Sequence, residues 1–140
     1  MNMQTNVDDG YFPSDDEPFM NDRQKEYFRN KLVEWKDSIL NESRETLKEM
    51  QEDTRNIPDV ADRASEESDR ALELRTRDRQ RKLISKIDAA LRRIDEDTYG
   101  YCDDTGNPIS LKRLDARPIA TLSLEAQERH ERREKVYRDD

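Results

Sequence analysis

The chain has little of what usually staples, punctuates or fills a globular protein. A single cysteine, Cys102, in 140 residues excludes an intramolecular disulfide framework. Three glycines leave no phosphate-cradling loop, and the lone histidine, His130, has no serine–aspartate partners in a recognisable nucleophilic pattern. No cofactor motif is present, so catalysis by the chain itself is not expected. Hydrophobic residues make up 31% and aromatics 6%, too few for one large spherical core. No run of about 20 apolar residues could cross a bilayer. The start lacks a basic segment followed by an apolar one, so no signal peptide is expected, and the cytoplasm is the expected compartment.

Charge is what the chain has in quantity: 43% of its residues are Asp, Glu, Lys or Arg, with a net charge of -8. The first 20 residues hold Asp8, Asp9, Asp15, Asp16 and Glu17 and no base, so the other 120 carry 29 acids against 26 bases. Interspersed signs of this kind suit the solvated faces of long helices. They disfavour direct DNA binding, sequence-specific or not, because phosphate attraction needs a basic face.

Periodicity separates helix from disorder. Residues 1–20 read as an acidic flexible tail, with Tyr11, Phe12 and Phe19 able to pack locally on a helix. From about 22 to 54, Phe28, Leu32, Trp35, Ile39, Leu47 and Met50 recur at spacings of three, four or seven, and Asn21 or Asp22 suits the N-cap. Pro58 stops this helix, because it lacks an amide donor and restricts its predecessor. A second helix over 60–96 carries Val60, Ala64, Ala71, Leu74, Leu83, Ile87, Ala90, Leu91 and Ile94. Two helices joined by so short a break fold back antiparallel, giving a hairpin over 21–96. At 1.5 Å per residue each arm would reach roughly 50 Å. The tip, 56–64, presents Asp59 and Asp62, where Asp59 can also cap the return helix. Residues 97–121 hold two of the three glycines and read as a compact turn-rich head with a short hairpin, and 122–140 as a C-terminal helix. The expected fold is therefore mainly α: a long coiled-coil hairpin, a small head and a last helix.

Four segments carry a family resemblance: Asp59-Val60-Ala61-Asp62-Arg63-Ala64, Leu72-Glu73-Leu74-Arg75-Thr76-Arg77-Asp78-Arg79, Gly100-Tyr101-Cys102, and Arg113-Leu114-Asp115-Ala116-Arg117-Pro118. In their order and spacing, over about residues 21–127, the chain resembles the DksA/TraR type of bacterial transcription factor, which acts through the secondary channel of RNA polymerase. The resemblance implies a zinc-finger-like head on the hairpin, direct polymerase binding without promoter recognition, destabilised open promoter complexes, and strengthening by guanosine tetraphosphate in the stringent response. It places Asp59, Asp62 and Ala64 near the polymerase active centre and Arg79 at a polymerase-binding position. Leu83, Lys86 and Arg117 match alarmone-facing positions, while a further basic family position is the neutral Gln127 here. A monomer is expected, since a second chain along the hairpin would block channel entry.

The family's zinc is held by two C-x-x-C pairs, and those four positions here are Cys102, Thr105, Ser123 and Ala126. Structural zinc takes four good ligands, so no zinc or other cofactor is expected. The head is expected to be held by Tyr101, Ile109, Leu111, Leu114, Leu122 and Leu124, with capping by Asp104, Thr105 and Ser123. Cys102 reads as a small buried hydrophobe and His130 as a surface residue. Two other readings stand beside this one. A transcript-cleavage factor would use the tip acids to hold a second Mg²⁺, and a structural adaptor would use the hairpin only to pair with another coiled coil.

Overall fold

The computed structural model describes residues 10–53 and 60–139. Four helices follow one another: α1 (Asp22–Asp53), α2 (Val60–Asp95), α3 (Leu111–Ala116) and α4 (Leu124–Asp139). α1 ends five residues before Pro58 and α2 begins two after it, as the break predicts. The described residues form two compact units. One contains the chain up to Leu32 and again from Ala89, and the other Val33–Asp88, so both α1 and α2 contribute to each.

In the second unit the helices run antiparallel. As the position on α1 rises from Lys36 to Ser43, its hydrogen-bonded partner on α2 falls from Asp88 to Gln80. Ile39 and Ile87 are buried, Trp35 and Leu83 half-buried. Beyond them the expected stripe does not close: Leu47 is 39% exposed and Leu74 48%, and Leu72, outside the stripe, is 56% exposed. Arg75, Arg77, Arg79 and Arg81 alternate with polar residues over this stretch, leaving little apolar surface to bury.

The first unit buries far more apolar side chains. Phe28 and Leu32 of α1 and Ala90 and Ile94 of α2 are buried, as are Tyr99, Ile109, Leu111, Leu114, Ile119 and Ala126 from the following chain. Antiparallel pairing continues here through Arg29–Asp95 and Lys25–Asp97 at 2.7 Å each. α1 is capped by Asn21, whose Oδ1 accepts from the Gln24 amide. α2 closes with Thr98 N–H on Arg93 C=O and Asp97 N–H on Ile94 C=O. This is a Schellman ending, with Asp97 taking the left-handed φ of 61° usually left to glycine.

Three features depart from the sequence reading. α3 was not anticipated; Ser110 caps it, accepting from the Arg113 amide. Residues 10–20, grouped with the flexible tail, are docked within the first unit. Tyr11 and Phe12 pack on Tyr27, Phe19 packs on Tyr101, and the Arg23 guanidinium lies 3.9 Å from the Tyr11 ring centroid. The buried Gln24 side chain fixes this arm, accepting from Met20 N–H and donating to Ser14 C=O. Residues 1–9 lie outside the described residues. Finally, the head core differs from the one expected: Tyr101 is 39% exposed and Leu124 53%, while Tyr99 and Pro118 take the interior beside Cys102, which is buried as expected. The short hairpin reduces, among the described residues, to one antiparallel bridge between Tyr101 and Pro108.

Candidate functional site

The motif Arg113-Leu114-Asp115-Ala116-Arg117-Pro118 shows how the head assigns its side chains. Arg113 donates from Nε to Leu122 C=O at 2.8 Å, Leu114 is fully buried, and Pro118 C=O accepts from the buried Tyr99 hydroxyl. Asp115 ties α3 to α1, accepting from Tyr27 Oη and Lys31 Nζ. Partial burial pushes the Asp115 carboxyl up, but the Lys31 ammonium and the Tyr27 hydroxyl outweigh it and hold it below the usual carboxylate range. Burial, then the neighbouring Asp115 carboxylate, raises the Tyr27 phenol to about 12. Ala116 is exposed, and Arg117 is the one polar residue of the motif whose exposed side chain has no hydrogen bond or ion pair among the described residues. Structural demand thus accounts for four positions and leaves one guanidinium available.

The helix positions behave likewise. Arg79 and Lys86 are exposed and have no ion-pair partner among the described residues, although the neighbouring Arg81 reaches Asp78 at 3.2 Å. Leu83 and Lys86 are one turn apart on α2, with Leu83 half-buried, so they share a face. Both belong to the second unit and Arg117 to the first. At the expected tip, Asp59 lies outside the described residues, as does the side chain of Asp62; Ala64 is exposed on α2.

Around the degenerate zinc positions the chain forms a tight loop. Cys102 N–H donates to Asn107 C=O, Gly106 N–H returns to Cys102 C=O, and Asp103 N–H reaches Thr121 C=O, each at 2.8 Å. Cys102 Sγ is buried 3.7 Å from Ser123 Oγ, and Ser123 Oγ also accepts from Ala126 N–H, capping α4. Burial pushes the Cys102 thiol up, yet the amides and hydroxyls of Ser123 and Thr105 prevail and bring it down to about 6. For zinc, the donor set does not fit. Cys102 offers the one thiol, Thr105 and Ser123 offer neutral hydroxyls, and Ala126 ends in a fully buried methyl group. No group of three or more His, Cys, Asp or Glu able to hold a metal occurs among the described residues.

Several structural residues had no local signature. Lys31 and Asp115 are 84 positions apart, and Asp104 pairs with His130, read from sequence as a plain surface residue, at 2.8 Å across 26 positions. No periodic pattern announces such pairs.

The architecture defines a class: an antiparallel helical hairpin whose base is built together with a small knuckle-like head and a C-terminal helix. Comparison with known proteins identifies it further. Residues 24–94 match the family model described as "DnaK suppressor protein DksA, N-terminal domain", and residues 97–132 the "prokaryotic dksA/traR C4-type zinc finger". A Caulobacter vibrioides protein named RNA polymerase-binding transcription factor DksA is 70% identical over 93% of this chain and 92% of its own length. The Escherichia coli K12 protein of that name is 41% identical over 85% of this chain and 79% of its own. Among solved structures, transcription factor DksA2 from Pseudomonas aeruginosa aligns with a TM-score of 0.77 at 40% identity, covering 84% of this chain and 90% of that one. The chain belongs to the DksA family.

Proposed function

We propose that this protein is a transcription regulator that binds bacterial RNA polymerase through the secondary channel and alters the stability of open promoter complexes. The observation that carries the proposal is the 70% identity, over nearly the whole chain, to an RNA polymerase-binding transcription factor. The hairpin tip, with Asp59, Asp62 and Ala64, acts near the polymerase active centre, where two carboxylates can accept hydrogen bonds from moving elements or meet Mg²⁺. Arg79 docks the helix; its guanidinium is exposed and unpaired among the described residues, as a bidentate contact with a polymerase carboxylate requires.

Leu83, Lys86 and Arg117 serve guanosine tetraphosphate at the polymerase interface. Lys86 and Arg117 supply exposed charge, unpaired among the described residues, for phosphate, and Leu83 an apolar edge. The neutral Gln127 weakens that site relative to family members with a base there. The head works without zinc, and the protein acts as a cytoplasmic monomer with no catalysis and no sequence-specific DNA contact of its own. Among the described residues, no helix is long and apolar enough to cross a membrane.

The test is in vitro transcription with cognate polymerase from a promoter whose open complex is short-lived, with and without guanosine tetraphosphate. Inhibition deepened by the alarmone is expected. Release of short 3′ RNA fragments from backtracked complexes would instead assign transcript cleavage, and no effect at saturating protein would leave a coiled-coil adaptor.

A further inference from the structure

A tetrahedral zinc knuckle fixes one loop to one helix start. Here the loop is Cys102–Gly106 and the helix is α4, and the two are fastened with the donor set for the metal missing. Three ties span them. The first is the Cys102 thiol, buried and surrounded by the amides and hydroxyls of Thr105 and Ser123. The second is Asp103 N–H on Thr121 C=O, just before α4. The third is the His130 imidazole on Asp104, which reaches the loop from the second turn of α4.

One of these ties has the spacing of a zinc site's edge. Thiolates at zinc–sulfur distances of about 2.3 Å lie about 3.8 Å apart at the corners of a tetrahedron. Cys102 Sγ and Ser123 Oγ, at two of the former ligand positions, are 3.7 Å apart. At the fourth ligand position of the family stands Ala126, whose buried methyl offers no donor. Ser123 does two jobs, since its Oγ also caps α4. Hence the thiol contact and the helix cap reinforce each other through one hydroxyl.

We infer that these three ties, the Cys102–Ser123 contact, the Asp103–Thr121 hydrogen bond and the Asp104–His130 pair, do the loop-to-helix fastening that zinc does in a C4 head. The inference rests on the metal-free reading of the head and deepens it by naming the replacement. It casts Ser123, Asp104 and His130 as positioning residues that hold the loop, and through it the seat of α4.

Amide hydrogen exchange on the full-length protein tests it, read at Cys102, Asp103, Gly106 and Asn107, with amides around Ile39 as internal controls. Ser123→Ala should speed exchange at the loop amides about fivefold, the factor for one lost hydrogen bond of about 1 kcal/mol. Ser123→Thr should restore protection. His130→Leu should give about twofold, as suits a partly exposed pair. The controls should not move. Wild-type protein in EDTA should exchange as it does without it. Faster loop exchange in EDTA alone would overturn the metal-free reading itself. An inert chelator together with wild-type exchange in both Ser123→Ala and His130→Leu would leave that reading standing and overturn this assignment.

Discussion

The two compact units of this chain solve different problems with the same two helices. In the unit containing the head, α1 and α2 meet a buried cluster from Phe28 to Ala126, with polar ties at Lys31–Asp115, Arg113–Leu122 and Tyr99–Pro118. In the other unit, the described residues bury only Ile39 and Ile87 and leave Leu72 and Leu74 largely in water. Apolar burial is the main favourable term in folding, so stability resides with the head and the hairpin base. The other unit leaves most of its described side chains exposed. That division suits a factor anchored by one part and effective through another.

Core truncation should break the comparison most severely. Leu114→Ala, at a fully buried site, is expected to cost about 2–5 kcal/mol of stability in denaturant unfolding. Gly100→Ala comes next. Glycine is needed there because φ is +93° and an added Cβ would lie 3.0 Å from the Phe19 ring. A cost of about 1–2 kcal/mol is expected from the left-handed backbone alone, measurable as a lower thermal midpoint.

Asp115 gives a smaller, pH-dependent effect. Its carboxyl is held below the ordinary carboxylate range in the folded state. Its contribution is therefore fully present above the unfolded pKa and is lost as pH falls through the folded one. Urea midpoints should drop on acidification below the usual carboxylate range, and Asp115→Asn should flatten that part of the profile. The smallest effect is expected in the other unit. Leu74→Ala, at a 48% exposed site, should change stability by no more than about 0.5 kcal/mol. A large loss there in the same unfolding assay would show that the distal hairpin carries a core after all.

The same contrast explains what could be read from the amino acids. Helical spacing around Phe28, Leu32 and Ile39 is a local signal, and so are Asn21 as a cap and Pro58 as a stop; these located α1 and α2. The replacement of three of the four zinc cysteines, by Thr105, Ser123 and Ala126, is equally visible in the sequence. What escaped was non-local or marginal in length. α3 has six residues, too few for a periodic stripe. Packing of Tyr11 and Phe12 on a helix was legible, but their partner Tyr27 and the contact of Phe19 with Tyr101 of the head were not. Tyr99 displaced Tyr101 from the head core because its hydroxyl finds Pro118 C=O and can be buried, whereas Tyr101 faces outward beside Phe19. At the exposed positions the sequence offered little beyond the resemblance, since Arg79, Lys86 and Arg117 look like any solvated base. The structure distinguishes Arg117 from Arg113 and Lys31 by the absence of a structural partner among the described residues.

The central claim is that anchoring and effect are separable, with the effect at the hairpin tip. The most direct measurement pairs polymerase affinity with open-complex lifetime for wild type and Asp62→Asn at matched occupancy. The account predicts that Asp62→Asn binds polymerase as wild type does and no longer shortens the lifetime. Equal shortening by both proteins would contradict it.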